Sequence, residues 1–199
     1  MKNFLKSQYN SLRTYLKSTK QWCFLALMLI IEIFIFACLN AEPNDSYEQY
    51  LSATEGLYRG LLPFIFWENL KAALLLILFG AIPFGFGVIF ALYSISTSLV
   101  STGKWLLPQV GFRKMLLCTL PHGVFEISAI CFSVVLSVLL CKSVTIAIIH
   151  LFRRKPVIPS LQENGVMLLK SILLVLLPLI LFSAVMEATL SRWVAGIIL

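Results

Sequence analysis

Charge is scarce in this chain. Only 13% of its 199 residues are Asp, Glu, Lys or Arg, while 59% are hydrophobic, and the mean hydropathy is +0.92. A soluble domain is nearer half apolar and a quarter charged. Too little polar surface remains to cover a globule in water, so lipid has to be the solvent for much of the molecule. Acids are scarcer still, 9 against 16 lysines and arginines, for a net charge of +7. The bases do not form one stripe. They sit in short clusters between apolar runs, as loops facing anionic lipid do, and no nucleic-acid partner is expected.

Several kinds of chemistry lack their usual signals. The five cysteines, Cys23, Cys38, Cys118, Cys131 and Cys141, lie in or beside apolar runs. With no CxxC and no close Cys/His pair, neither a zinc site nor a disulfide framework is signalled, and free thiols acting as small hydrophobes are expected. There is no HExxH and no GxSxG, and no cofactor is expected. No internal repeat or low-complexity tract stands out. The basic N-terminal region runs about twenty residues before the apolar stretch begins, and no small-x-small site closes that stretch, which argues against a cleavable signal.

What is present reads as an all-α, polytopic membrane bundle. Residues 1–21 carry five bases and no acid, with Phe4, Leu5, Tyr9, Leu12 and Leu16 at roughly helical spacing. They are expected to form a basic amphipathic segment on the cytoplasmic surface, ahead of a transmembrane domain over 22–199. Residues 22–40 are long enough to cross a bilayer core. The next stretch holds Glu42, Asp45, Glu48 and Glu55 against Arg59 alone, so the positive-inside rule places it outside and the N-terminus in the cytoplasm.

Residues 63–100 are apolar for about twice the length of one span. Gly80, Pro83 and Gly87 interrupt them, and the chain is expected to break or kink over Ile82–Gly87. Gly80 and Gly87 also permit close helix packing. Residues 103–121, with Lys104, Pro108, Gly111, Arg113 and Lys114, read as an interfacial or re-entrant connection. Further spans follow from about His122 and over Met167–Met186, separated by the basic Arg153-Arg154-Lys155. About five spans result, with the C-terminus outside. Four spans would move Lys104, Arg113 and Lys114 to the inner face but leave residues 105–150 hard to accommodate.

Ionisable groups inside spans are costly, so each needs a reason. Glu68 stands three residues from Lys71, and a local ion pair is expected. Glu32, near the centre of the first span, is expected to hydrogen-bond another helix as a packing residue. The densest constellation is Leu120-Pro121-His122-Gly123-Val124-Phe125-Glu126. Pro121 suits the first turn of a helix, and His122 and Glu126, four apart, share one face. Gly123 leaves room for a neighbouring helix, a backbone or a ligand.

The segment LPHGVFEISA resembles the Pro-His-Gly-x-x-Glu signature of the stage II sporulation protein M family. Asn69 falls at that family's asparagine position, Gly80 and Gly87 in its glycine-bearing centre, and Ala184-Val-Met-Glu187-Ala188 is similar to its terminal acidic motif. The likeness runs over roughly residues 20–190. It departs where the family has an Asn-Gly pair and this chain has Tyr93-Ser-Ile-Ser-Thr-Ser. The resemblance implies a small multi-span protein of a bacterial cell membrane. It would be a non-enzymatic partner of wall-remodelling enzymes, or, like relatives in circular-bacteriocin gene clusters, an aid to maturation, export or immunity.

Two other functions stay open on the residues. His122, Glu126, Glu187 and Asn69 could converge as the catalytic set of an intramembrane hydrolase or peptide cyclase, a carboxylate activating water while His and Asn hold an oxyanion. One His and two Glu could instead hold a metal. The broken run and Glu32 would also suit a transporter or channel. The expected partners are lipid and either other membrane proteins or a peptide substrate.

Overall fold

The computed structural model describes residues 9–11, 13, 14, 17, 20–43, 61–154, 158–191 and 193. Most of the 1–21 segment, the acidic stretch after Pro43, and Lys155 lie outside the described residues. Among the described residues the regular structure is helical, with no strand. Helix α1 is Lys20–Asn40, α2 Leu61–Phe79, α3 Phe86–Val110, α4 Phe112–Phe152, α5 Ile158–Ser171 and α6 Leu177–Met186. A π-helical turn, Ile172–Leu176, joins α5 to α6, and a second, Glu187–Ser191, ends α6. Among the described residues five stretches are long and apolar enough to cross a membrane: Lys20–Asn40, Leu61–Phe79, Pro83–Val110, Thr119–Phe152 and Asn164–Leu190. The protein is a multi-pass membrane protein.

The long apolar run is a hairpin. Two turn residues follow α2, then a 3-10 turn over Pro83–Gly85 in which Phe84 takes φ 63° and Gly85 φ 84°. Left-handed backbone is ordinary for glycine but strained for phenylalanine. What holds the break is a polar ridge on α4. Ser137 Oγ donates to the Leu76 carbonyl at 2.7 Å. The Phe84 N–H donates to Thr145 Oγ1 at 3.3 Å. Cys141 works both ways, its Sγ accepting from Gly85 N–H at 3.2 Å and donating to the Ile82 carbonyl at 3.6 Å. Ser137, Cys141 and Thr145 are four residues apart, so one helix face reaches the backbone groups that the break leaves without helical partners.

Two expectations are corrected. Residues 103–121 are not a separate connecting segment between spans but parts of α3 and α4. They are helical on both sides of a single break at Gly111, which adopts φ 77°. Pro121 does not start a helix but lies inside the 41 residues of α4. At about 1.5 Å per residue α4 extends some 60 Å, about twice a bilayer core, so its first turns project beyond the span. The last span also reaches further at both ends than Met167–Met186.

α4 is the centre of the bundle and packs against α1, α2, α3, α5 and α6. One core cluster gathers Ala26, Leu76, Val88, Leu92, Val134 and Val138; another gathers Ala73, Ile77, Ala129, Leu136, Leu176 and Ile180. Lipid removes the hydrophobic drive between such helices, so close packing and polar contacts have to supply it. Buried serines fit that role. Ser133, Ser143 and Ser171 satisfy themselves on the carbonyl four residues back, whereas Ser137 reaches another helix. Lys104 Nζ donates to the Ala41 carbonyl at 2.9 Å, tying α3 to the end of α1. Lys142 lies 5.1 Å over the Trp22 ring near the other end of α1.

Candidate functional site

The signature residues gather where α2, α4 and α6 meet. Asn69 is half-buried on α2, one turn before the small residues Ala72 and Ala73. With Glu126 it lines a cleft of about 190 Å³ that α3 and α6 complete with Ser98 and Ser183. The remaining wall is aliphatic, including Leu76, Ile130 and Ile180. The Asn69 Nδ2 atom is buried and has no hydrogen-bond partner. An amide donor left in this state in an apolar wall carries a desolvation cost of about 1–3 kcal/mol.

His122 stands one turn before Glu126 on α4 and is half-buried. Ser183 Oγ lies 3.5 Å from the His122 carbonyl and donates to it. The Phe125 and Phe182 rings stack nearby, centroids 5.8 Å apart, fixing α4 against α6. Glu187 opens the terminal π-helical turn, half-buried, and lies within electrostatic reach of both His122 and Glu126. His122, Glu126 and Glu187 therefore share one environment, while Asn69 meets Glu126 through the cleft. Neither His122 nor Glu187 lines that cleft.

Gly123 is buried, yet a methyl group built on it would touch only Thr119 Cγ2, at 3.4 Å. The space beside it is not filled by a neighbouring helix. Gly80 and Gly87 are different. A Cβ on Gly80 would strike the Ser137 carbonyl and lie 2.8 Å from Ser137 Oγ, and one on Gly87 would strike the Phe79 carbonyl. Both glycines, with Pro83, belong to the α2–α3 break rather than to the cleft.

Two other expectations fail. Glu32 is exposed on α1 and bonds no other described helix. Among the described residues no three His, Cys, Asp or Glu side chains are placed to hold a metal ion, so the one-His, two-Glu metal set is not assembled. Glu68 does form its local pair, with Lys71 Nζ at 2.6 Å and both side chains 44% exposed. Ser98 and Ser183 are cleft residues that the sequence reading missed; serines recur throughout the spans, and nothing in their spacing singles out these two.

Residues 22–192, which take in every residue of this site and all but the first two residues of the five spans, match the family model described as Stage II sporulation protein M. The chain belongs to the stage II sporulation protein M family. No curated protein and no solved structure matches it. The Pro-His-Gly-x-x-Glu segment of this family member runs through one continuous helix, with its His and Glu turned toward α2 and the end of α6.

Proposed function

We propose that this family member is a non-enzymatic component of a bacterial cell membrane that seats a segment of a partner in the cleft between Asn69 and Glu126. The partner is a membrane protein of the wall-remodelling machinery. In a bacteriocin gene cluster it would be a peptide undergoing maturation or export. The observation that carries this reading is the Asn69 Nδ2 donor, buried without an acceptor in the wall of an otherwise aliphatic cleft. A guest's backbone carbonyl would complete it, and the guest's apolar surface would cover the leucines and isoleucines. Because His122 and Glu187 do not line the cleft, a bound segment would meet one carboxyl and one amide but no histidine.

A photoreactive residue in place of Leu99, exposed at the cleft, should capture the partner in cells. Asn69→Leu should reduce that capture about tenfold, the weight of one well-formed buried hydrogen bond, with membrane abundance unchanged. Equal capture by both proteins would defeat the proposal.

A second reading, an intramembrane hydrolase or cyclase, is favoured by one observation: Glu187, at the end of α6, lies near both His122 and Glu126.

The proposed orientation puts the N-terminus in the cytoplasm. Lys20, Lys142, Arg153 and Arg154 would then lie toward the inner face, and Glu42 outside, together with Lys104 beside Ala41. Cysteine at Glu42 should label in intact cells, and cysteine at Arg154 only after permeabilisation, in a protein lacking its native cysteines. The reverse pattern would invert the orientation.

A further inference from the structure

The cleft lined by Asn69 and Glu126 lies well below the membrane surface. Asn69 is eight residues into α2, Glu126 seven residues into the span that starts at Thr119, and Ser183 seven residues from the end of the last span at Leu190. Ser98 is six residues before Lys104, which bonds Ala41 at the end of α1. Successive spans alternate in direction, so all four depths are measured from one side. At about 1.5 Å per residue they come to about 9–12 Å, in a hydrocarbon core about 30 Å thick.

The walls are unequally covered. Ile180 and Ser183 on α6 and Ala129 on α4 are buried, whereas the exposed residues of the lining, Ala72, Ser98 and Leu99, belong to α2 and α3. Toward the hairpin these two helices close on each other, with the Phe79 and Phe90 rings 5.7 Å apart. His122 and Glu187, nearer the ends of their spans, do not line the cleft. Its mouth therefore lies along α2 and α3 at hydrocarbon depth. Glu68 stands at the rim, four residues before Ala72 and on the same face of α2. Its ion pair with Lys71 is 44% exposed on both side chains, about 10–15 Å into the helix, where charge against acyl chains is costly.

An occupant of this mouth has to carry a hydrogen-bond acceptor to that depth, because the buried Asn69 Nδ2 has none. Lipid does not: its polar groups stay at the interface, and acyl chains accept nothing. An unbroken apolar helix does not either, since its backbone carbonyls are taken within the helix. A proline removes a donor and frees a carbonyl on the preceding turn, and a neighbouring helix can then satisfy it. Resting on the partner-seating role proposed above, we infer that the guest is a membrane-spanning helix that enters sideways from the bilayer between α2 and α3. It is broken at this depth, and a freed carbonyl accepts from Asn69 Nδ2. The body of the guest helix covers the Glu68–Lys71 pair.

The test uses the full chain, its five cysteines replaced by serine, in vesicles of phosphatidylethanolamine and phosphatidylglycerol. A nitroxide on Ser98→Cys should collide with oxygen far more often than with a water-soluble nickel chelate. One on Glu42→Cys, exposed just past the end of α1, should show the reverse. Two synthetic peptides are then compared, each a lysine-flanked span of about twenty leucines and alanines, one of them with a proline near its centre. A photoreactive residue in place of Leu99 should capture the proline peptide about fivefold more than the other, the weight of one polar contact between membrane helices. Asn69→Leu should remove that difference. Equal capture of the two peptides by the parent protein would overturn the inference, and so would a Ser98 position open to the nickel chelate. If capture in cells still depends on Asn69, either failure leaves the partner-seating role standing; loss of that dependence as well removes the role itself.

Discussion

Alanine at Gly87 is expected to destabilise the purified protein by about 3 kcal/mol. Gly87 is buried in the first turn of α3, where the chain has just doubled back on α2. Its Cβ would collide with the Phe79 carbonyl and lie 2.8 Å from Ile82 Cβ. Neither neighbour is the free end of a flexible side chain, so α2 and α3 have to separate. Overpacking of this kind costs about 1–3 kcal/mol. Separation also pulls the break away from Ser137, Cys141 and Thr145, each contact there contributing about 0.5–1.5 kcal/mol or less. Gly103→Ala is the control: it lies in the same helix, nothing stands within 4 Å of its Cβ, and alanine is the better helix former. Thermal unfolding in detergent, followed by circular dichroism, reads both. If Gly87→Ala melts with the parent protein, the tight hairpin is not the resting structure.

The hairpin shows what was legible in the sequence and why. A run of about forty apolar residues cannot stand upright in one bilayer, and the Gly-x-x-Pro-x-Gly-x-Gly stretch supplies the only dense cluster of helix-weakening residues within it. The reading failed where the same signals occur in weaker form. Pro108 and Pro121 lie inside helices, because membrane helices tolerate proline where neighbours and side chains satisfy the freed backbone groups. Lys104, Arg113 and Lys114 suggested an interfacial or re-entrant connection, yet Lys104 bonds the chain at the end of another helix. Of that whole segment only Gly111 breaks the helix, by its positive φ.

That Glu126 would turn inward, into a wall it shares with Asn69, was legible for an energetic reason: polar groups in lipid have few places to go except toward one another. The fate of Glu32 was not. α1 is apolar around its whole circumference, so periodicity could not say which face turns inward. The carboxyl assigned to another helix of the bundle points away from it. The α4 residues that hold the break were readable only in retrospect, since four-residue spacing gives a common face but not what that face meets.

His122→Ala is expected to cost about 2–3 kcal/mol of stability, chiefly by leaving the two carboxyl groups of Glu126 and Glu187 without their only nearby imidazole. The side chain is half-buried on α4 and lies within reach of Glu187, which in turn lies near Glu126. Much of that loss is the penalty for what remains behind rather than the worth of a single bond. Removing one carboxylate should therefore relieve it, and the double change His122→Ala with Glu187→Gln should recover about 1 kcal/mol or more relative to the sum of the single changes. His122→Gln, which keeps a donor and an acceptor at that point, should lie close to the parent. These four unfolding measurements, Glu187→Gln alone among them, also divide the functional readings when partner capture and peptide turnover are followed in the same proteins. If the trio holds helices together, capture follows stability, and the double change restores both. If His122 acts on a bound peptide, His122→Gln abolishes turnover in a fully stable protein and the Glu187→Gln change restores nothing, because glutamine can hydrogen-bond but cannot carry a proton through the reaction. Additive stability losses, with no recovery in the double mutant, would mean that His122 and Glu187 do not act on each other, and the shared environment would be wrong under either reading.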